Sequence, residues 1–436
     1  MKQHALRLAA AVLLAASCAP QKLPPVDVVV LVYNPATRAY EPRTVQLNTP
    51  TNITTLQGPV AKLVGGAKFA LSDSTSGNTV EELAKAITKD AGHDVNVSYI
   101  ETQQTLVPAD FHSLNMVTTY YNFERAYQFF TGTVGGTLNA ERFGVPNVYY
   151  FAGYEENGTA LKDNAMFIKL TGGFLILPFE ELQQVPLAIN LGVVGHEYAH
   201  SVFNYHVHKS HPLPPTLSSW RGNLGATPGA NLVAALDEGS ADIFGWGITC
   251  SSDLTTCDAE YIGESLPAEY LASRRVDQAQ CMDEGMWINL EEHDYDDFTT
   301  RCVPFGCHYT VGSVFASALW RAASDAEVVK TLGQGPARRA MFEALWNAQS
   351  GAGGSAALKS WGTMMESAAS NQLDFSLRAH TTDRLVPSVL DAVIDGATDD
   401  KLKIALCSAF MDRFGLTRSD FARCPATAAS YNECPR

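Results

Sequence analysis

Apolar positions change their period part-way along the chain. Short apolar or alternating runs bounded by Gly, Pro and Asn occupy residues 26–33 (VDVVVLVY), 94–100 (DVNVSYI), 145–151 (VPNVYYF), 165–170 (AMFIKL) and 173–179 (GFLILPF). Such runs predict strands. Between them, residues 79–92 and 113–130 carry apolar residues at helical spacing. From about residue 186 the pattern is almost wholly helical, with long runs at 230–248, 311–332, 337–349 and 400–415. A β-rich front and a helical back, joined near residue 200, predict an α+β fold whose natural cleft lies at the join. No internal repeat is visible. The low-complexity stretch SGAGGSAAL, residues 350–358, reads as a loop between helices.

Composition adds a compartment. The 436 residues are 46% hydrophobic and 18% charged, which suits one large domain or two subdomains around a substantial core. Lys2 and Arg7 lead into an apolar run, and small residues follow it to Cys18. This is a secretory signal, residues 1–17, ending in AASC, which resembles a bacterial lipobox and predicts a lipid anchor on Cys18; plain secretion is the alternative. No other stretch is apolar for long enough to span a membrane, so membrane contact is expected through that anchor alone. Export agrees with the remaining eight cysteines, Cys250, Cys257, Cys281, Cys302, Cys307, Cys407, Cys424 and Cys434. They predict up to four disulfides, with near neighbours such as Cys250 and Cys257 favoured, whereas a cysteine zinc site is disfavoured because no CxxC pair occurs. The formal charge of −15 repels phosphate backbones, so nucleic acid is not an expected partner.

The densest chemistry lies in GHEYAHSVFNYHVHKSH, residues 195–211. His196, Glu197 and His200 form HExxH behind the apolar run LAINLGVV. On a helix, residues four apart differ by about 40°, so both imidazoles can face one zinc ion with Glu197 beside them. A third ligand is needed. His206 stands where a metzincin-type motif would place it, but Phe203 occupies the position where glycine lets the chain leave the helix. His206, His208 and His211 are therefore read as polar residues of the helix end and the following loop. The stronger candidate is ALDEGSAD, residues 235–242, where Glu238 and Asp242 lie one turn apart on an apolar helical pattern. Two acids flanked by LVAAL and IFGWGI are not a solvated face, and buried acids need a cation. Glu238 then completes the metal site, and Asp242 fixes the tautomer of one histidine.

These residues carry a family resemblance. VVGHEYAHSVF followed by ALDEGSADIFG resembles the gluzincin pattern of the thermolysin-like and fungalysin-like metallopeptidases. DNAMF, residues 163–167, resembles their edge strand that binds substrate backbone by strand addition, with Asn164 and Ala165 matching. CHYTVGSVFASALW places His308 where the family keeps a histidine that stabilises the oxyanion. The resemblance implies a thermolysin-like fold with the zinc cleft between a β-rich N-terminal subdomain and a mainly helical C-terminal one. It also implies a zinc endopeptidase acting on proteins or peptides through a zinc-bound water, with Glu197 as general base. The corresponding division is an N-terminal segment of mixed strands and a helix (19–110), a β-rich catalytic subdomain ending in the HExxH helix (111–206) and a helical catalytic subdomain (207–436).

Departures from the pattern are informative. His200 and Glu238 are 38 residues apart, longer than the compact thermolysin spacing, which implies an inserted loop. Val303 stands where an acid often orients the downstream histidine, and Asp296 or Asp297 could substitute. Gly192 stands where thermolysin has a calcium ligand, so calcium is not implied. The arginine that grips the substrate carbonyl could be Arg274 or Arg275. Two rival readings remain: a catalytically degenerate zinc-binding envelope lipoprotein, and a structural envelope protein that buffers metal loosely through His206, His208 and His211.

Overall fold

The computed structural model describes residues 25–72, 74–75, 79–136, 138, 144–179, 185–208, 228–258, 261–263, 265, 274–287, 307–351 and 378–435. The expected signal and Cys18, His211, Asp296, Asp297, Cys302 and Val303 lie outside them, as do the side chains of His208 and Cys307. The front half holds strands β1 (Val26–Asn34), β2 (Ala39–Leu47), β3 (Lys62–Gly65) and β4 (Lys68–Leu71), then helix α1 (Val80–Ile87). Strands β5 (Thr88–Asp90), β6 (His93–Asp94), β7 (Tyr99–Thr102) and β8 (Thr105–Pro108) lead to helix α2 (Phe111–Gln128). Strands β9 (Asn147–Tyr150), β10 (Gly153–Glu156), β11 (Thr159–Leu161), β12 (Ala165–Ile168) and β13 (Gly173–Ile176) complete it. The back half is helical: α3 (Leu191–Phe203), α4 (Pro228–Thr249), α5 (Cys307–Ala323), α6 (Ala326–Leu332), α7 (Gln334–Ser350), α8 (Arg378–Gly396) and α9 (Asp400–Phe414). The chain is thus α+β, with a β-rich N-terminal part and a helical C-terminal part. No helix among the described residues is long and apolar enough to cross a membrane.

Strands form three sheets, ordered β2-β1-β8-β7, β11-β10-β4-β5 and β12-β13-β9-β3-β6. The third positions the site. Its edge strand β12 pairs antiparallel with β13, Ala165 opposite Ile176 and Phe167 opposite Phe174, and has no strand on its other side among the described residues. One face of this sheet meets the helices through aromatic rings: Phe174 stacks on Tyr198 of α3 at 6.0 Å, and Phe123 of α2 meets Phe174 at 4.8 Å. Tyr198 and Phe123 are 1% exposed, so the back of α3 is anchored in core while its other face is left for polar residues. That core is continuous from Val28 and Leu47 in the first sheet to Phe410 in α9.

Several elements depart from the sequence pattern. The helix expected over 79–92 ends at Ile87, because Thr88 leaves helical geometry and residues 88–90 pair with β4 as β5. The strand expected over 94–100 is split into β6 and β7. The run 311–332 is broken at Asp325, whose side chain caps α6 by accepting from the backbone N–H groups of Glu327 and Val328. Within LAINLGVV, the chain stops a short 3₁₀ turn and restarts as α3, because the Asn190 side chain accepts from the N–H groups of Gly192 and Val193. The hairpin strand β2 escapes notice because AYEPRTVQL, with Pro42 and three charged or amide side chains, lacks a clean alternation.

Disulfides join Cys250 to Cys257, as their spacing predicts, together with Cys281 to Cys434 and Cys407 to Cys424. The second matters for the site. It fixes the segment 274–287, which is also held by the Met282 N–H donating to the Arg413 carbonyl at 2.8 Å.

Helices α3, α4 and α5 pack at unusually short range. A β-carbon on Gly245 would lie 3.1 Å from both the Gly192 carbonyl oxygen and the His196 nitrogen of α3. One on Gly312 of α5 would lie 2.8 Å from the Ala235 oxygen and the Gly239 nitrogen of α4, and 3.1 Å from Glu238 Cβ. Gly312→Ala is therefore expected to lower stability by about 1–3 kcal/mol by forcing the helices apart, against the gain of up to ~1 kcal/mol that alanine brings to a helix. A urea midpoint equal to or above that of the wild type would contradict this close contact.

Candidate metal centre

Helix α3 carries His196, Glu197 and His200, and α4 carries Asp237, Glu238 and Asp242. The crossing brings three of these within one ion's reach. The two imidazole Nε2 atoms are 3.0 Å apart, His196 Nε2 is 3.4 Å from Glu238 Oε2, and His200 Nε2 is 3.6 Å from Glu238 Oε1. A tetrahedral zinc ion with bonds of 2.0–2.1 Å sets its ligand atoms about 3.3 Å apart. With one ligand atom from each, His196, His200 and Glu238 lie within 4.8 Å of one another, near enough to meet at a single ion.

Both rings are turned the same way by what stands behind them. His200 Nδ1 bonds Asp237 Oδ1 at 2.7 Å, and His196 Nδ1 lies 3.1 Å from Asp242 Oδ1. With Nδ1 facing a carboxylate, each Nε2 is turned toward Glu238 and the other imidazole, and His196 Nε2 also has Arg274 Nη2 3.4 Å away. Asp242 is held in turn by the Tyr261 hydroxyl and by Arg274, whose Nη2 is 2.5 Å away. Asp237 is held by Lys169, with Nζ 2.9 Å from Oδ2.

Charge points to the same occupant. Among the described residues, four carboxylates (Glu197, Asp237, Glu238, Asp242) face two cations, Lys169 and Arg274. With the imidazoles neutral, these described groups leave two negative charges, which a divalent ion matches. Burial would lower His200, but Asp237 and Glu238 outweigh it and raise its pKa to about 9. His196 is raised against the same burial by Asp242 and Glu238. Burial would raise Asp242, yet the Arg274 guanidinium and His196 hold it down at about 2. Burial pushes the Glu197 carboxyl upward, while the nearby histidines pull it down only in part.

The site lies in a cleft of about 370 Å³ that runs along β12. Asn164, Ala165 and Phe167 line one wall, and His196, Glu197 and Glu238 the other. Glu197 Oε2 accepts from the Phe167 backbone N–H at 2.8 Å, so the edge strand and the HExxH helix are tied across the cleft. Asn164 Oδ1 takes the Ala165 N–H at 2.9 Å, and its carbonyl accepts from Leu177. His308 stands in the first turn of α5, half-buried, its ring 4.2 Å from that of Tyr309. Burial lowers its pKa, and the charges of Glu238 and Arg274 act on it next. Tyr309, not His308, is among the residues lining the cleft.

Of the two candidate arginines, Arg274 belongs to the site, while Arg275 pairs with Asp277 at 2.7 Å. His206 does not join the metal set: it lies in a π-turn continuing α3, with its ring 4.7 Å from Trp346. Phe203, fully buried, keeps the chain on its helical course there. Lys169, Asp237, Tyr261 and Tyr309 carry no assignment from sequence. Asp237 alone left a signal, as the acid immediately before Glu238; the others arrive through long-range packing.

No protein-family model matches the sequence, and no curated protein does. Among solved structures the chain is similar to the precursor of protealysin, a metalloproteinase from Serratia proteamaculans. That match has 16% identity and a TM-score of 0.41, and covers 79% of this chain and 86% of that one.

The purified protein is expected to keep about one divalent ion per chain, and chelation should lower its unfolding free energy by roughly 4 kcal/mol where free metal had stood at about 1,000 times its dissociation constant. His200→Ala should abolish retention. Elemental analysis finding under about a tenth of an ion per wild-type chain would contradict the assignment.

Proposed function

We propose that this chain is an exported zinc metallopeptidase of the gluzincin type. The observation that carries the reading is a His196, His200 and Glu238 set close enough to share one ion, with Glu197 on the same helix, beside the edge strand β12. Two nitrogens and a carboxylate suit zinc, and three protein ligands leave a position open. When bound there, zinc supplies Lewis-acid polarisation of a carbonyl and a water acidic enough to be deprotonated near neutrality.

The protein's own groups do the rest. A peptide adds to β12 as a further strand, held by backbone hydrogen bonds around Asn164 and Ala165. Glu197, fixed through Oε2 by Phe167, takes the proton of the attacking water and delivers it to the leaving amine. By the gluzincin resemblance, His308, directly before the cleft-lining Tyr309, is assigned as donor to the oxygen on which charge develops, a contact whose loss typically costs about 10²–10³ in rate. Arg274, bound to Asp242, serves the same centre from behind one histidine. Asp242 and Asp237 hold the two histidines. The three disulfides among the described residues suit an oxidising compartment, and with the N-terminal signal they support export, with Cys18 as the proposed lipid anchor.

Glu197→Gln is expected to keep zinc and fold while losing about 10²–10⁴ in peptide hydrolysis. Casein zymography with paired zinc analysis reads both. Undiminished hydrolysis removes Glu197 from the mechanism, and a wild type that binds zinc tightly yet cuts no peptide favours the degenerate binding lipoprotein.

A further inference from the structure

Each histidine of the centre is backed by a carboxylate, and each carboxylate by a cation, but the two cations come from different places. Arg274 reaches Asp242 from the segment pinned by the Cys281 disulfide. Lys169 reaches Asp237 from the residue immediately after β12, the strand that lines the cleft. We propose that Lys169 is a positioning residue of the metal centre, acting through Asp237 to set the ring of His200. The inference rests on the reading of the His196, His200 and Glu238 set as a metal site.

Two partners among the described residues take different oxygens of the Asp237 carboxylate. Oδ1 takes His200 Nδ1 at 2.7 Å, and Oδ2 takes Lys169 Nζ at 2.9 Å. With one oxygen held on each side, the plane of the carboxylate cannot turn about its own axis without breaking one bond, so the lysine defines the direction from which the imidazole is held. This is not an ordinary surface pair. The Asp237 side chain is 6% exposed and the Lys169 side chain 27%, and the acid is committed to a ligand of the centre. The lysine stem also lines the cleft, so the position of β12, where a peptide would dock, is mechanically joined to one metal ligand. Strand and metal are thus linked twice, by Phe167 to Glu197 and by Lys169 through Asp237 to His200.

The test uses the full chain as exported, with zinc affinity measured by competition against a chromophoric chelator and the visible spectrum of the cobalt-substituted protein recorded alongside. Lys169→Met should weaken zinc about 10–100-fold, the usual cost of losing an outer partner of a ligand, and should shift the cobalt bands. Lys169→Arg should restore both, and Lys169→Gln, which keeps a polar end, is the second loss variant should the methionine form not fold. In an Asp237→Ala background, Lys169→Met should change affinity by less than about twofold, because its effect passes through the missing acid. Wild-type affinity and spectrum in both Lys169→Met and Lys169→Gln would overturn the proposal, as would a full additional loss in the Asp237→Ala background. A wild type without tight zinc would instead overturn the metal reading on which this rests.

Discussion

Backbone contact between α3 and α4 sets the scale of everything in the centre. Because a glycine stands at 245 facing Gly192 and His196, the two helices approach closely enough for Glu238 to share a single ion with imidazoles from the neighbouring helix. Side chains at that crossing would add to the separation, and a short glutamate could not make up the difference. The contact of Gly312 with Gly239 repeats the device on the other side of α4 and brings the first turn of α5, with His308 and Tyr309, to the same place. Three helices are thus registered by residues that have no side chain.

Electrostatics then explains why the centre tolerates so many buried acids. Asp237, Glu238 and Asp242 are each under 10% exposed, and such a cluster without compensation would be strongly destabilising. Compensation is spread among Lys169, Arg274 and the imidazoles, so the arrangement is stable only as a network. The raised His200 and the depressed Asp242 are two faces of that network, not separate perturbations.

Much of this was legible from the chain itself, for physical reasons. His196 and His200 are local partners on one helix, and the pairing of Glu238 with Asp242 is again one turn of one helix, so helical periodicity exposes both. Phe203 excluded His206 by the same local logic, and His206 packs on Trp346. What escaped is non-local. Lys169 lies 68 positions from Asp237, and Tyr261 is placed by a segment with no periodic pattern. Choosing between Arg274 and Arg275 needed the direction of two adjacent side chains in an irregular segment, which no spacing rule provides. The strands were legible where they are buried, as in β13, or strongly apolar, as in β1, and illegible in β2, where exposed charges mask the alternation.

The disulfide between Cys281 and Cys434 bears on the metal centre from outside it. It spans 153 residues and closes the segment that delivers Arg274 to Asp242. The helices that carry the histidines and carboxylates, α3 and α4, both precede Cys281, whereas its partner Cys434 lies beyond α9. The position of the cation beside Asp242 therefore depends on a covalent link that forms under oxidising conditions and joins two stretches far apart in the chain.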